Sequence, residues 1–150
     1  MKEKYMRMAI KEAEKAFTNG EVPVGAVIIK NDKIIAKAYN KKKKMNSVTR
    51  HAEIIAIEKA SKKLHNWRLD DCDIYITLEP CPMCASAIKQ SRISHIYCGL
   101  NNLDENNIKI VENILKKDKI NGSCSIDCGY FSTEIEILMK KFFSLCRNKK

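Results

Sequence analysis

Apolar positions along the chain alternate between two periods. Residues 3–18 place Tyr5, Ala9, Ala13, Ala16 and Phe17 at helical spacing with Lys and Glu between them, which predicts a first helix. Asn19-Gly20 supplies its stop. Residues 24–29 are a short, largely β-branched run, Asn31-Asp32 is a turn, and residues 33–39 return, so the three together predict a hairpin. The lysine run 41–44 reads as a charged loop. Thr49 is the expected N-cap of a second helix carrying His51, Glu53, Ile54, Ile57, Ala60 and Leu64. Residues 73–79 set Ile74, Ile76 and Leu78 against Tyr75 and Thr77, the period of a strand. Pro80 stops it, and Pro82 suits the first turn of a third helix running to about Gln90.

The second half follows the same rhythm. Residues 93–99 predict a strand. The stretch 101–121 is polar at first, then carries Ile110, Val111, Ile114 and Leu115 at helical spacing. A last strand is expected at 123–126, and a closing amphipathic helix at 131–146 with Ile135, Leu138, Met139, Phe142 and Phe143 inward or at an interface. The order α-β-β-α-β-α-β-α-β-α implies an α/β protein: a three-layer α/β/α sandwich with a five-stranded mixed sheet.

Bulk composition narrows the class. With 150 residues, 45% of them hydrophobic, the chain suits a single domain over 1–150 with a real core. No run of about 18 apolar residues predicts a membrane span. The polar N-terminus does not resemble a secretory signal, so a cytoplasmic location is expected. Seven cysteines, an odd number in a chain without such a signal, favour thiols over disulfides. Cys72, Cys98 and Cys146 read as core or surface fillers, whereas Cys124 and Cys128 could pair or bind a second metal. A net charge of +10 favours polyanions, although a lysine-rich composition that only keeps the protein soluble would look the same.

Chemistry is concentrated in two short motifs, His51-Ala52-Glu53 and Pro80-Cys81-Pro82-Met83-Cys84. One imidazole and two thiolates give zinc three protein ligands and leave the fourth tetrahedral position to water, the mark of a catalytic rather than a structural site. His51, Cys81 and Cys84 are therefore the expected ligands of one Zn²⁺ per subunit. The expectation is that His51 sits in the first turn of one helix and the two cysteines in the first turn of another, where the helix dipole favours thiolate. Glu53 is spare, and free to take a proton from water and return it to substrate as catalytic acid–base. His65 and His95 read as structural or solvent-facing.

These motifs resemble the cytidine-deaminase superfamily. Within it the chain looks like the bacterial tRNA-specific adenosine deaminases. The resemblance rests on Glu21-Val22-Pro23-Val24-Gly25-Ala26-Val27, Asn40, His51-Ala52-Glu53-Ile54 and the stretch from Tyr75 through Ala85. Ser91-Arg92-Ile93 and Phe142-Phe143 extend it over nearly the whole chain. It implies a cytidine-deaminase-like fold and zinc-dependent deamination of adenosine to inosine at wobble position 34, within a tRNA anticodon stem-loop, by a homodimer. It also implies that Asn40 hydrogen-bonds the purine, that Val24 and Ala52 line the base pocket, and that Glu21 contacts a neighbouring nucleotide. Asn102 stands where the family carries an Asp that touches the ribose. Arg50 replaces a small residue, and residues 104–108 replace a glycine-rich segment. Phe142, Phe143 and Arg147 could stack on or clamp loop nucleotides, with core packing the alternative for the two rings. A deaminase of free nucleobases or nucleosides, of guanine or cytosine type, would share the same zinc core. An RNA-binding module with a structural zinc would instead need a fourth protein ligand.

Overall fold

The computed structural model describes residues 2–101 and 104–148. Its elements follow the expected order: α1 (Lys2–Thr18), β1 (Gly25–Lys30), β2 (Lys33–Tyr39), α2 (Ala52–Leu64), β3 (Cys72–Leu78), α3 (Pro82–Gln90), β4 (His95–Leu100), α4 (Glu105–Leu115), β5 (Ser125–Cys128) and α5 (Ser132–Asn148). The five strands form one sheet in the order β2-β1-β3-β4-β5. β1 is antiparallel to β2 and β3, whereas β3, β4 and β5 are parallel. No helix among the described residues is long and apolar enough to cross a membrane.

Strand alternation sorts the core into two layers. Ala26, Ile28, Ile74, Ile76, Ile96 and Cys98 face α2, α3 and α4, where they join Ala56, Ala60, Ile88 and Val111. Val27, Ile29 and Tyr75 face the other side and pack with Tyr5, Met6, Ala9 and Ile10 of α1 and Ile135 of α5. The close seating of α1 explains Gly25, where a Cβ would fall 2.0 Å from the carbonyl oxygen of Ala9 and 2.6 Å from the amide nitrogen of Ala13.

Local chemistry fixes the ends. Asn31 and Asp32 take positive φ (50° and 60°) between Lys30 and its partner Lys33, the backbone of a two-residue type I′ hairpin. Gly20 at φ 74° closes α1, with the amide of Glu21 bonding back to Ala16 O at 2.9 Å. Pro82 is the first helical residue of α3.

Four expectations are corrected. Thr49 does not cap α2: His51 occupies the N-cap with extended backbone (φ −74°, ψ 153°), and Cys81 likewise caps α3 (φ −72°, ψ 169°). Both residues thus precede the helix rather than sit in its first turn. The last strand lies two residues later than 123–126, because β5 is placed by its parallel register with β4 rather than by its own alternation. That register also sets Cys128 beside Cys98, with Cα atoms 4.3 Å apart, and the two form a disulfide. The reading of Cys98 as a free filler, and of Cys124 as a partner for Cys128, is therefore replaced. Cys124 is a buried free thiol, pushed up to about 12 by burial.

Candidate active site

The two N-capping residues bring the sequence motifs together. An extended N-cap carries its side chain away from the helix axis, toward the region that the helix amide groups face. From α2 this presents the imidazole of His51, and from α3 the thiol of Cys81, with Cys84 one turn further along α3. Nδ1 of His51 lies 3.5 Å from Sγ of Cys84 and 3.8 Å from Sγ of Cys81. The potential ligand atoms of the three residues all lie within 4.8 Å of one another. A tetrahedral zinc with Zn–S of about 2.3 Å and Zn–N of about 2.0–2.1 Å sets ligand-to-ligand edges of roughly 3.5–3.8 Å. The triangle therefore has the dimensions of a zinc site. It is also the one group among the described residues with three such donors close enough to hold a metal.

Glu53 completes the geometry. It is 3% exposed, and its Oε1 is a buried polar atom without a hydrogen-bond partner in the protein. Such an atom costs about 1–3 kcal/mol unless something satisfies it. His51, Cys81 and Cys84 are the side chains that act on its carboxyl, so the missing partner belongs with whatever occupies the ligand triangle. A donor set of one imidazole and two thiols, with an unsatisfied carboxylate oxygen beside it, fits zinc with one open position.

Electrostatics follow the same arrangement. Burial raises the Glu53 carboxyl, opposed by its own backbone hydrogen bond and by His51. The hydrogen bond to Cys84, helped by His51, holds Cys81 down to about 4, whereas that same bond, burial and Glu53 drive Cys84 upward. The hydrogen bond with Cys81 raises His51. A divalent cation in the triangle removes this competition by stabilising both thiolates at once.

The triangle opens into a cavity of about 560 Å³ at the ends of β1 and β3. Val24, Asn40 and Glu21 line it together with His51, Glu53 and Cys81. Oδ1 of Asn40 accepts the backbone N–H of Ala52 at 2.7 Å, so Asn40 supplies the cap to α2 that His51 does not. That bond fixes the amide orientation and leaves Nδ2 as a donor. Ala52 is fully buried beneath this contact and joins the core rather than the cavity lining. Both oxygens of Glu21 accept backbone N–H groups, from Lys43 at 3.1 Å and Lys44 at 2.9 Å.

The remaining expected residues lie elsewhere. Phe142 is buried, edge-on to Phe17 of α1 with centroids 6.0 Å apart. Phe143 is 43% exposed and lines a second cavity of about 680 Å³ with Leu100, Met139 and Arg147. Leu78 borders both cavities. Asn102 lies outside the described residues. Arg50 turns away from the cavity into a two-pronged ion pair with Glu58 of α2, at 2.8 and 2.6 Å. That accounts for a large cation directly before His51. Sequence reasoning did not assign Glu79, Lys42, Lys43 or Leu78 to the cavity wall. Glu79 and Leu78 could have been found from their position directly before Pro80-Cys81. Glu79 accepts a hydrogen bond from Asn107 at 3.1 Å, which ties the start of α4 to the site.

Two helix N-termini converging at the ends of the antiparallel strands β1 and β3, a His/Cys/Cys triangle and a buried spare carboxylate define a hydrolytic metalloenzyme site. Residues 1–100 match the profile of the cytidine and deoxycytidylate deaminase zinc-binding region. The chain is 38% identical to the tRNA-specific adenosine deaminase of Bacillus subtilis (strain 168) over 148 residues, covering 99% of this chain and 92% of that protein. A structure solved in work on A-to-I editing by tRNA:A34 deaminases at the wobble position superposes with a TM-score of 0.83. That match is at 32% identity and covers 90% of this chain and 98% of the other. The guanine deaminase of Bacillus subtilis superposes with a TM-score of 0.65 at 36% identity, but covers only 72% of this chain and 69% of its own. The chain belongs to the zinc-binding cytidine and deoxycytidylate deaminase family, on the branch of the tRNA-specific adenosine deaminases.

Proposed function

We propose that this protein hydrolyses adenosine to inosine at wobble position 34 of a tRNA anticodon loop. The observation that carries the chemistry is the orphaned Glu53 oxygen beside a triangle of zinc dimensions. The substrate reading is supported by 38% identity to a tRNA-specific adenosine deaminase along almost the entire chain, whereas the guanine deaminase of Bacillus subtilis, at 36% identity, aligns with 72% of it.

His51, Cys81 and Cys84 would hold the metal. Zinc, when bound, supplies a Lewis acid that makes water a nucleophile near neutral pH. Glu53 takes one proton from the attacking water as its oxygen bonds to C6 of the purine and places that proton on the adjacent ring nitrogen; it then carries the remaining hydroxyl proton to the amino group, which leaves as ammonia as the C6 carbonyl forms. Its burial favours the protonated form after the first transfer, and so suits return of the proton. Asn40 donates from Nδ2 to an acceptor on the base, and Val24 bounds the base on an apolar side. A base paired or stacked in a duplex cannot reach this depth, so the nucleotide enters extruded from a loop. Phe143 and Arg147, in the adjoining cavity, stack on or clamp the neighbouring nucleotides. Homodimer assembly and a cytoplasmic location follow from the family resemblance and form part of the same proposal.

The test is incubation of zinc-loaded protein with an anticodon stem-loop bearing adenosine 34, scored by inosine content, beside a panel of free bases and nucleosides scored by ammonia. Inosine in the stem-loop and no ammonia from the panel is the expected result. Turnover of guanine or cytosine with an inert stem-loop would overturn the substrate assignment.

A further inference from the structure

One wall of the cavity is built by Lys42, Lys43, Asn46, Ser47 and Val48, from the loop between β2 and α2. That loop contains the run Lys41-Lys42-Lys43-Lys44. Four adjacent like charges repel one another and favour an open, fluctuating backbone. Here the backbone is tied down. Glu21 is 3% exposed, and its two carboxylate oxygens accept the amides of Lys43 and Lys44 at 3.1 and 2.9 Å. A buried carboxylate persists only with compensation, and two charge-assisted bonds beneath a cationic loop supply it.

The outer surface of the loop combines these lysines with exposed apolar side chains, Met45 at 54% and Val48 at 66% exposure. Ammonium groups bind phosphates and apolar side chains meet base faces, so this mixture fits single-stranded RNA at the mouth of the site. Glu21 itself is a poor RNA contact. A carboxylate only accepts hydrogen bonds, both its oxygens are engaged, and it would repel a phosphate.

We propose that Glu21 is a positioning residue that acts through the lysine loop: it fixes the backbone so that Lys42, Lys43 and Lys44 bind phosphates flanking the reacting nucleotide, and it does not touch the RNA. This rests on the tRNA deaminase reading above. The test is a double-mutant cycle between Glu21→Gln and the combined change Lys42→Ser, Lys43→Ser, Lys44→Ser. It is read as KM and kcat on the stem-loop, and as the salt dependence of stem-loop binding by fluorescence anisotropy.

Glutamine keeps one acceptor but sets an N–H against the second backbone amide. Loss of one charge-assisted bond predicts a KM rise of about tenfold with kcat within about twofold. The lysine changes lower the slope of log affinity against log salt by up to about 2, at roughly 0.7 per phosphate. On the lysine-free background Glu21→Gln adds less than about twofold, because its route of action is gone. Glu21→Asp, which keeps the charge on a shorter arm, substitutes for Gln if that variant does not fold, with zinc content as the check. An equal loss on both backgrounds, or a fall in kcat at unchanged KM, overturns the inference while leaving the deaminase reading intact. Failure of the unmutated protein to bind or convert the stem-loop overturns both.

Discussion

Replacing Glu53 with alanine separates catalysis from metal binding. The carboxylate is buried with Oε1 unpartnered, and it is not one of the three groups whose spacing fits zinc. Zinc content is therefore expected to stay at one per chain. A positioned general acid–base contributes typically about 10²–10⁴-fold, so kcat on the stem-loop is expected to fall by that factor, roughly 3–5 kcal/mol of barrier. Stability moves the other way. Leaving a buried polar atom unsatisfied costs about 1–3 kcal/mol, so its removal from the zinc-free protein is expected to raise Tm by several degrees, at roughly 2–4 °C per kcal/mol for a chain of this size. The assays are single-turnover inosine formation, metal analysis and thermal melting with and without chelator. Turnover within tenfold of the unmutated protein would refute the proton role. Loss of zinc would make Glu53 a ligand, and a lowered Tm in the zinc-free state would show that its carboxylate is satisfied by the protein.

Three further outcomes follow from particular contacts. Asn40→Asp keeps the acceptor that caps Ala52 but loses the Nδ2 donor, so Tm is expected to hold while kcat/KM on the stem-loop falls by about 10–100-fold, the worth of one buried hydrogen bond to substrate; an unchanged kcat/KM would remove Asn40 from base recognition. Gly25→Ala drives a methyl into the backbone of α1 at Ala9 and Ala13, with an expected loss of about 1–3 kcal/mol or more in denaturant titration. Lys89 is 6% exposed and donates to the carbonyls of Ile114 and Lys116 and to Asp118 at 2.7 Å, so Lys89→Met is expected to cost about 1–3 kcal/mol by leaving the end of α4 uncapped. The hydrogen bond to Lys89 holds Asp118 down to about 2, so that ion pair stabilises above the ordinary carboxylate value near 3.8 and is lost as pH falls toward 2. The acid limb of the melting curve should therefore flatten in Lys89→Met.

What was legible in the sequence was local. The hairpin could be read because Asn31-Asp32 tolerates the left-handed backbone that a type I′ turn requires. The five strands and five helices could be read because each carries its own periodicity, and β5, the weakest in alternation, was the one displaced. The motif order His-x-Glu then Pro-Cys-x-x-Cys could be read because zinc chemistry restricts residue type and spacing together. Contacts between distant segments were not legible. Asn40 capping α2, Glu21 beneath the lysine loop and Cys98 bonded to Cys128 all depend on strand register and on where a loop crosses the sheet edge. No one-dimensional spacing encodes them. The exchange of Thr49 for His51 as the cap of α2 has the same origin, since the capping oxygen arrives from Asn40, twelve positions earlier.

This division has a consequence for how chemistry and specificity can vary independently. The metal-binding half of the site is built on α2, α3 and the ends of β1 and β3, elements locked by the fully buried Ile28, Ile74, Ile76 and Ile88. Moving any ligand by an ångström would require repacking a dense core. The half proposed to face the nucleotide is built on loop 40–50 and on α5, which are anchored to the rest of the domain through Glu21 and Asn40 for the loop and Ile135 and Phe142 for the helix. Exposed side chains there, Lys42, Lys43, Met45, Val48 and Phe143, can change at little cost in stability. The two anchors Glu21 and Asn40 cannot, because each is a polar group whose bonds hold backbone in place. Exchanges among the exposed set should therefore alter which RNA is accepted while the deamination step is retained. Changes at Glu21 should weaken binding, and changes at Asn40 should also disturb the placement of the base against Glu53.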